Sequence, residues 1–213
     1  MGKNYTNISM AVIRRLPKYY RYLGELIDKE VYRISSRELS VITSFTASQI
    51  RQDLNCFGGF GQQGYGYNVE ELRDEIGKIL GLGANYNAVI VGAGNLGQAI
   101  ANYPYFSKRG INIIALFDTN PKIVGMKIRD INIYDVENLT EYAKENNVKI
   151  GIICTPETVA QKITDSLCAA DIKGIWNFAP IDIKTPKEVK VENVHLGESL
   201  LTLLYLLNEK DKD

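Results

Sequence analysis

Residues 87–101 have the sequence NAVIVGAGNLGQAIA, in which a short apolar run leads into three glycines and then into a helix-forming segment. This order of strand, glycine turn and helix is typical of a dinucleotide-binding Rossmann unit. The first glycine makes the tight turn, the second lets the backbone approach a pyrophosphate, and the third lets the helix pack on the strand. The pyrophosphate faces the N-terminus of the helix, and the residues predicted to hold it are Gly92, Ala93, Gly94, Asn95, Leu96 and Gly97.

A second apolar run covers residues 111–118 and ends in an acid, Asp118. Asp118 lies 21 residues after Gly97, close to the spacing of about 20 residues at which Rossmann domains place a carboxylate on the adenosine ribose. A carboxylate here favours NAD+ and NADH over their 2′-phosphorylated forms. The alternative is a glycine-rich turn in a Rossmann-like fold that binds no dinucleotide.

The α/β pattern continues beyond these two strands. Residues 148–154 predict a buried strand followed by a helix to Ala170, and residues 173–178 and 189–195 predict two more strands. Loops at the carboxyl ends of parallel strands line the ligand crevice. Further cofactor candidates are therefore Thr155, Pro156, Asn177, Ala179 and Pro180. The alternative, which the sequence supports equally, is that these two turns only end their strands and contact no cofactor.

Helical spacing and capping residues organise the beginning of the chain. Apolar residues recur at helical spacing from Pro17 to Ile27, and Pro17 is predicted to open this first helix. Ser35 followed by Glu38 forms a capping box, which predicts a short helix that is broken at Thr43 and Ser44.

The next segment completes a helix-turn-helix pattern. Thr46 followed by Gln49 is a second capping box and opens a polar helix. Residues 58–67 alternate glycines with aromatic and amide residues, which predicts a β-hairpin wing. Asn68 with Glu71 then caps a final helix. The alternative is a small helical dimerisation or lid domain with a glycine-rich surface loop.

Charge is divided unevenly along a chain whose formal net charge is zero. The first 60 residues hold nine Lys and Arg against five Asp and Glu, whereas residues 81–213 hold fourteen against sixteen. A basic module followed by a mildly acidic one suits a domain that faces phosphate groups.

Composition excludes several other classes of protein. Hydrophobic residues make up 45% and charged residues 23% of the chain, which is typical of a globular protein. No apolar run approaches the ~18 residues of a membrane span, and no signal-peptide pattern is present, so we expect a cytoplasmic protein without a membrane partner. The three cysteines fit neither a metal-binding nor a disulfide spacing, so we expect no metal.

The segment from Leu196 to Asn208 predicts an apolar helix. Its leucines wrap most of its circumference, which exceeds the need of one packing face and indicates burial in a partner subunit. A fully buried internal helix is the competing interpretation. The leucines are Leu200, Leu201, Leu203, Leu204, Leu206 and Leu207.

Taken together, several segments resemble the Rex family of redox-sensing transcriptional repressors, nearly from end to end. They are FTASQIRQDL (45–54), CFGGFGQQGYGY (56–67), GAGNLGQAIANY (92–103), FDTNP (117–121), GIWNFAP (174–180) and VENVHLGESL (191–200). The resemblance implies an α/β protein with a winged-helix domain (1–84), a doubly wound Rossmann domain (85–195) and a domain-swapped C-terminal helix (196–213). It also implies a homodimer that binds double-stranded operator DNA, is released by NADH and is returned to DNA by NAD+, and that is not an enzyme.

The resemblance also assigns DNA contacts by position. It implies that the residues facing the major groove are Thr46, Ser48, Gln49, Arg51 and Gln52. It places Arg15, Gln62 and Gln63 nearby, on phosphate or in the minor groove. Gln52 stands where many members of the family have a basic residue.

Three further residues are assigned to the redox switch. The resemblance places Tyr103 close to the nicotinamide and Arg21 in an interdomain switch. His195 stands where the family has an acidic residue that pairs with this arginine. Without the resemblance, Tyr103 is interpreted as a core residue and Arg21 as a solvated charge.

Two other functional classes compete with a repressor. A nicotinamide-dependent oxidoreductase usually needs a positioned acid or base. The only histidine, His195, falls on a predicted strand with no evident carboxylate beside it. A CoA-binding Rossmann domain of the acyl-CoA ligase kind shares the overall pattern but explains neither Asp118 nor the wing.

Overall fold

The computed structural model describes residues 8–58 and 65–209 of the 213-residue chain. The chain divides into two compact units between Gly83 and Ala84. Among the described residues, no helix combines the length and the apolar character that crossing a membrane requires.

The first unit consists of four helices and a small antiparallel sheet, and it confirms the predicted helix-turn-helix. The elements are α1 (Met10–Ile27), β1 (Arg33–Ile34), α2 (Ser36–Thr43), α3 (Ala47–Asn55), β2 (Tyr67–Asn68) and α4 (Val69–Ile79). Ser35 makes both hydrogen bonds of the predicted capping box with Glu38, and Asn68 caps α4 as predicted. The apolar faces of the helices share one core, which includes Leu16, Leu23, Leu39, Ile50, Leu54, Leu72 and Ile76.

The first helix begins seven residues earlier than predicted, at Met10 with Ser9 as its cap, so Pro17 lies inside it. Four residues of α1 are fully or almost fully buried and outweigh the backbone hydrogen bond that proline removes. Pro17 is exposed, so the carbonyl group that it leaves unpaired can be hydrated. The buried residues are Val12, Leu16, Tyr19 and Leu23.

The second unit is a seven-stranded sheet with helices on both faces, which confirms the predicted Rossmann-like fold. The strands are β3 (Tyr86–Val91), β4 (Ile111–Asp118), β5 (Lys127–Ile128), β6 (Ile131–Asp135), β7 (Val148–Ile153), β8 (Gly174–Asn177) and β9 (Lys190–Asn193). The helices are α5 (Asn95–Ala101), α6 (Leu139–Glu145), α7 (Glu157–Cys168) and α8 (Leu196–Glu209), with 3-10 turns at Ser107–Arg109 and Val136–Asn138.

The strand order is β5-β6-β4-β3-β7-β8-β9, and all neighbours are parallel except the β5–β6 pair. The central strand β3 is buried on both faces. Ala88 and Ile90 pack on the side of α5, whereas Val89 and Val91 pack on the side of α6 and α7. Burying a leucine or valine side chain in this way stabilises the fold by about 1.5–3 kcal/mol.

The structure departs from the predicted elements at two places. Residues 127–145 contain β5, β6 and α6, none of which was predicted. The last strand ends at Asn193, so His195 lies in the short link before α8 and not on a strand. The predicted C-terminal helix is present, and its leucines are exposed in the single chain, which excludes an internal helix buried within one subunit.

Candidate functional site

The candidate site lies at the carboxyl ends of β3 and β7, where successive strands change from one side of β3 to the other. The chain runs from β3 to one side through β4 and β6, and then crosses to the other side through β7, β8 and β9. Open parallel sheets bind ligands at such a point. Gly92 follows β3 with φ of 100°, and a Cβ there would lie 2.5 Å from the carbonyl oxygen of Cys154, which follows β7. Glycine is therefore required for the two loops to approach this closely.

The other two glycines of the turn differ in what a side chain would meet. A Cβ on Gly97 would overlap the carbonyl oxygen of Gly92, so this glycine lets α5 pack against the turn. A Cβ on Gly94 would meet no described atom within 4 Å, and the φ of −72° there suits any residue. Gly94 therefore keeps a space open beside the turn, which the phosphates of a ligand can enter.

The Asp118 carboxylate lies across the glycine turn. One carboxylate oxygen accepts a hydrogen bond of 2.7 Å from the backbone N–H of Ala93. The other accepts one of 2.9 Å from the backbone N–H of Asn120. Each carboxylate oxygen has lone pairs for more than one bond. Asp118 is thus fixed beside the turn and can still accept hydrogen bonds from ribose hydroxyls.

Thr155 adds an unsatisfied polar atom to the same place. Its backbone nitrogen lies 3.2 Å from the position of a Cβ on Gly92. Its hydroxyl oxygen is buried and has no hydrogen-bond partner among the described residues. Such a group costs about 1–3 kcal/mol, so a ligand that bonds to it would relieve that cost. Pro156 is exposed next to it, at the cap of α7.

The Asn177 side chain, a predicted cofactor contact, makes hydrogen bonds inside the protein. Its amide nitrogen donates to the carbonyl oxygen of Ile181 at 2.8 Å and to Oδ1 of Asn193 at 2.9 Å. Its Oδ1 accepts from the backbone N–H of Ala179 at 3.0 Å. Both of its N–H groups therefore close the loop after β8, and a contact of Asn177 with a cofactor stays a prediction. Ala179 is also buried, whereas Pro180 is exposed.

Tyr103 lies near the amino ends of the strands, whereas the glycine turn lies at their carboxyl ends. Helix α5 runs back along β3 from that turn, and Tyr103 follows its last residues. With Phe106, Ile111 and Arg129, Tyr103 lines a cavity of about 230 Å³ at the amino ends of β4 and β6. Its predicted place beside a nicotinamide stays a prediction.

Helix α3 presents polar side chains to solvent after the tight turn from α2. The turn passes through Ser44 in the left-handed region, with φ of 63°. The Thr46 hydroxyl accepts from the backbone N–H of Gln49 at 3.1 Å. Arg51 donates from Nη1 to the Ser36 hydroxyl at 2.9 Å, which ties α3 to α2. The predicted DNA contacts that are exposed are Thr46, Ser48, Arg51 and Gln52, and Gln49 is half-buried.

Arg15 takes part in an ion pair inside the first unit. Its Nε and Nη2 donate to the Asp53 carboxylate at 2.6 and 2.7 Å, and the Tyr19 hydroxyl donates to the same group at 2.7 Å. The hydrogen bond to Asp53 raises the pKa of Arg15, and burial raises the pKa of Tyr19, so both donors keep their protons. Asp53 is not among the residues predicted from sequence, although an acid on the same face as Ile50 and Leu54 is a signal for such a pair.

Gln62 and Gln63 lie outside the described residues, as does the centre of the predicted wing. The described end of the wing segment returns to the helical unit through β2, which pairs with β1. Gly66 is required at this point, since a Cβ there would lie 2.7 Å from the carbonyl oxygen of Ile34.

Arg21 and His195, two of the three residues assigned to the switch, belong to different units. Arg21 is exposed on α1, with its Nε 3.8 Å from the Glu25 carboxylate. His195 has Nε2 3.2 Å from Oδ1 of Asp182, so the expectation that no carboxylate lies beside it is wrong. Asp182 is 13 residues away in the chain and was not identifiable from local sequence. Pairing between Arg21 and His195 stays a prediction.

Few titratable groups adjoin the glycine turn. Burial raises the pKa of the Cys154 thiol to about 12, so this group is protonated at neutral pH. Within residues 8–58 and 65–209, no three His, Cys, Asp or Glu side chains are grouped so that they could hold a metal ion. The described residues around the turn are suited to binding a ligand, and the charged group among them is the Asp118 carboxylate.

Comparisons with known proteins cover both units. One family model, described as "CoA binding domain", matches residues 84–181, and another, described as "Putative DNA-binding protein N-terminus", matches residues 7–55. The redox-sensing transcriptional repressor Rex of Clostridium perfringens strain 13 is 63% identical over 204 residues, which are 96% of each chain. The Rex protein of Clostridium botulinum strain Hall is 63% identical over 96% of this chain and 98% of its own.

Two solved structures of a Rex-family repressor called RSP are also similar. The crystal structure of RSP with β-NAD+ and operator DNA has a TM-score of 0.91 and 59% identity, and covers 97% of this chain and 95% of RSP. The crystal structure of RSP with β-NADH has a TM-score of 0.90 and 56% identity, with 97% of both chains covered.

Proposed function

Because this chain belongs to the Rex family of redox-sensing transcriptional repressors, we propose that it binds operator DNA as a homodimer, leaves the DNA when NADH binds, and returns to it with NAD+. It is a transcriptional regulator and not an enzyme. The observation that carries the proposal is the open space at Gly94, in the glycine turn to which the Asp118 carboxylate is hydrogen-bonded. Complexes of RSP with NAD+, NADH and operator DNA support it.

The glycine turn and its neighbours would hold the dinucleotide. Gly94 leaves room for the pyrophosphate, and Gly92 and Gly97 allow the close packing that shapes the turn. Asn95 and Leu96 offer backbone N–H groups in the first turn of α5, which no side chain caps. Asp118 would accept hydrogen bonds from the adenosine ribose, and the Thr155 hydroxyl would gain the partner that it lacks. The bound cofactor supplies a nicotinamide ring whose oxidised and reduced forms differ in charge and shape.

Asp118 also argues against coenzyme A, despite the description of the family model for residues 84–181. Coenzyme A carries a phosphate on the ribose of its adenosine. A fixed carboxylate at the ribose repels that phosphate and cannot neutralise it. A dinucleotide with free ribose hydroxyls fits the same carboxylate.

The relatives of this chain argue against an oxidoreductase. Hydride transfer enzymes place an acid or base beside the reacting carbon, and His195 with Asp182 could in principle supply one. The similar Rex proteins are named as transcriptional repressors, so we propose that the site binds the cofactor without transferring hydride.

Helix α3 is the proposed reading element for DNA. Its exposed Ser48, Arg51 and Gln52 lie on one helix that follows a tight turn, the arrangement in which a recognition helix enters the major groove. Thr46 and Gln49 at its N-terminal end are proposed to lie close to the DNA as well. A repressor acts on chromosomal DNA, so we place the protein in the cytoplasm.

The proposed dimer contact is α8. Its leucines are between 47 and 65% exposed in the single chain. An apolar helix of 14 residues with this exposure needs a covering surface. A second copy of the chain would supply that surface by exchange of α8. Tyr103, which is remote from its own glycine turn, would then be a candidate contact to the cofactor of the partner.

The test is DNA binding at controlled ratios of NADH to NAD+. A duplex selected from a random pool by the unmodified protein is labelled, and its binding is followed by a gel shift. We expect NADH to release the duplex, NAD+ added at the same NADH concentration to restore binding, and coenzyme A to have no effect. Binding that ignores NADH, or release by coenzyme A, would contradict the proposal. Sedimentation of the free protein checks the dimer separately.

A further inference from the structure

Helix α1 holds α3 near both of its ends, and we propose that Arg15 and Asp53 are positioning residues that set the orientation of α3 on DNA, and not DNA contacts. This inference rests on the proposed function of the first unit. It concerns how the helix is oriented on DNA.

The C-terminal end of α3 is held through the Asp53 carboxylate. The side chain of Asp53 is 2% exposed and that of Arg15 is 19% exposed. Two N–H groups of Arg15 and the Tyr19 hydroxyl donate to the two carboxylate oxygens at 2.6, 2.7 and 2.7 Å. A two-point guanidinium–carboxylate pair fixes direction as well as distance. Because the carboxylate is buried, it cannot exchange these donors for water without a large cost.

The N-terminal end of α3 is held through Phe45, which precedes the capping residue Thr46. The Phe45 ring packs edge-on against the Tyr19 ring, with centroids 5.5 Å apart. The Lys18 ammonium lies 4.8 Å and the Arg15 guanidinium 5.9 Å from the centre of the same ring. Both cations attract the face of the ring.

Residues 15–19 of α1 therefore contact Asp53, near the C-terminal end of α3, and Phe45, just before its N-terminal end. Any tilt of α3 relative to α1 must break the pair to Asp53 or separate Tyr19 from Phe45. The guanidinium charge of Arg15 is also balanced by a carboxylate at hydrogen-bond distance, which reduces its attraction for phosphate. A residue with this environment is expected to act on DNA through the helix that it holds.

The two roles predict different results for the full-length protein. A phosphate contact contributes equally on every sequence, and its loss lowers the salt slope of binding by about 0.9 for each contact, or about 1.8 for the proposed dimer. A positioning residue affects the selected duplex most, because base contacts depend on the aim of α3. We therefore compare affinity for the selected duplex with affinity for a scrambled duplex of the same composition, over a series of salt concentrations.

The informative variants are Arg15→Lys and Asp53→Asn. Lysine keeps the charge but cannot form the two-point pair, and asparagine keeps the shape but loses the charge. We expect both to reduce the ratio of selected to scrambled affinity at least tenfold, while the salt slope stays that of the parent. Lys144→Met removes an exposed cation from the other unit and should leave both quantities unchanged.

A double variant separates positioning from stability. Arg15→Met removes the ionic partner of Asp53 and should lower the thermal midpoint. Arg15→Met with Asp53→Leu should recover part of it, because an apolar pair can replace a buried ion pair, although the Tyr19 hydroxyl then loses its acceptor. We expect the double variant to keep the reduced affinity ratio. A ratio that recovers together with the midpoint would show a structural role only. Equal losses on both duplexes with a lower salt slope would show a phosphate contact. NADH release of the parent tests the proposed function independently.

Discussion

The carboxylate of Asp118 accepts a hydrogen bond of 2.7 Å from the backbone N–H of Ala93, so the acid at the end of β4 is bonded to the glycine turn after β3. The two groups are 25 residues apart in the chain. This bond places the carboxylate before any ligand arrives, which reduces the ordering needed on binding. It also means that Asp118 supports the shape of the turn.

Substitution of Asp118 by asparagine is expected to weaken NADH binding about 10- to 100-fold. The reason is the loss of a charge-assisted hydrogen bond, about 1.5–3 kcal/mol, to the ribose. The preference for NADH over NADPH should narrow, since the repulsion of a 2′-phosphate is removed. Fluorescence titration with both cofactors measures this, with Asp130→Asn as the control on the same unit. The assignment is wrong if the unmodified protein binds NADPH as tightly as NADH.

Gly94 and Gly97 should respond differently to alanine. At Gly94 the new methyl group enters open space and an ordinary backbone conformation, so the free energy of unfolding should change by less than about 1 kcal/mol while NADH affinity drops. At Gly97 the methyl group overlaps the Gly92 carbonyl oxygen, and the fold should lose about 1–3 kcal/mol. Denaturant unfolding and NADH titration are run on both. Equal stability losses would contradict the distinction between the two glycines.

Thr155→Val should reduce NADH affinity without destabilising the free protein. The Thr155 hydroxyl has no partner among the described residues, so its removal should raise the free energy of unfolding, by up to about 1–3 kcal/mol, or leave it unchanged. Thr155→Ser keeps the hydroxyl and serves as the control. Thermal unfolding with and without NADH provides both quantities. Unchanged NADH affinity in the valine variant would remove Thr155 from the site.

Gln52 is expected to change which base pair the repressor prefers. A glutamine pairs with adenine N6 and N7, whereas lysine or arginine pairs with guanine O6 and N7, a difference of about 1–3 kcal/mol for each contact. Gln52 is exposed on α3 and its side chain is available for this contact. We predict a preference for A·T at the symmetric position, and reversal by Gln52→Lys. The measurement is competition between two operators that differ only at this base pair. Equal affinities of the unmodified protein for both operators would refute the predicted preference.

His195 and Asp182 should act on the switch as a pair. Their side chains are 3.2 Å apart, so removal of either should alter the NADH concentration that releases DNA. The effects of His195→Ala and Asp182→Asn should therefore not add in the double variant. Lys187→Ala, on the same exposed loop, is the control. If His195→Ala releases DNA at the same NADH concentration as the parent, the residue is only a link before α8.

The central strands and the glycine turn were predictable because their signals are local. The predicted strand 111–118 has the bounds of β4, since a buried parallel strand is a continuous apolar run. The caps Ser35 and Asn68 were also identified from residues three positions apart. Patterns of this kind need no knowledge of the tertiary structure.

The missed features depend on distant partners or on weak local signals. The β5–β6 hairpin turns through Arg129 and Asp130, which lack the Asn-Gly signature of such turns. The pairs of Arg15 with Asp53 and of Asn177 with Asn193 join residues 38 and 16 positions apart. Periodicity does not report which polar groups meet across such distances.

If a second copy covers α8 as proposed, the exposed leucines of this helix link the lifetime of the protein to its abundance. A newly made chain without a partner displays an apolar helix of 14 residues, a segment that chaperones and proteases recognise in incompletely assembled proteins. Pairing protects that helix by mass action, so the protected fraction rises with concentration. Cells with few copies would then clear them faster than cells with many, and the threshold for repression would depend on the rate of synthesis as well as on the redox state.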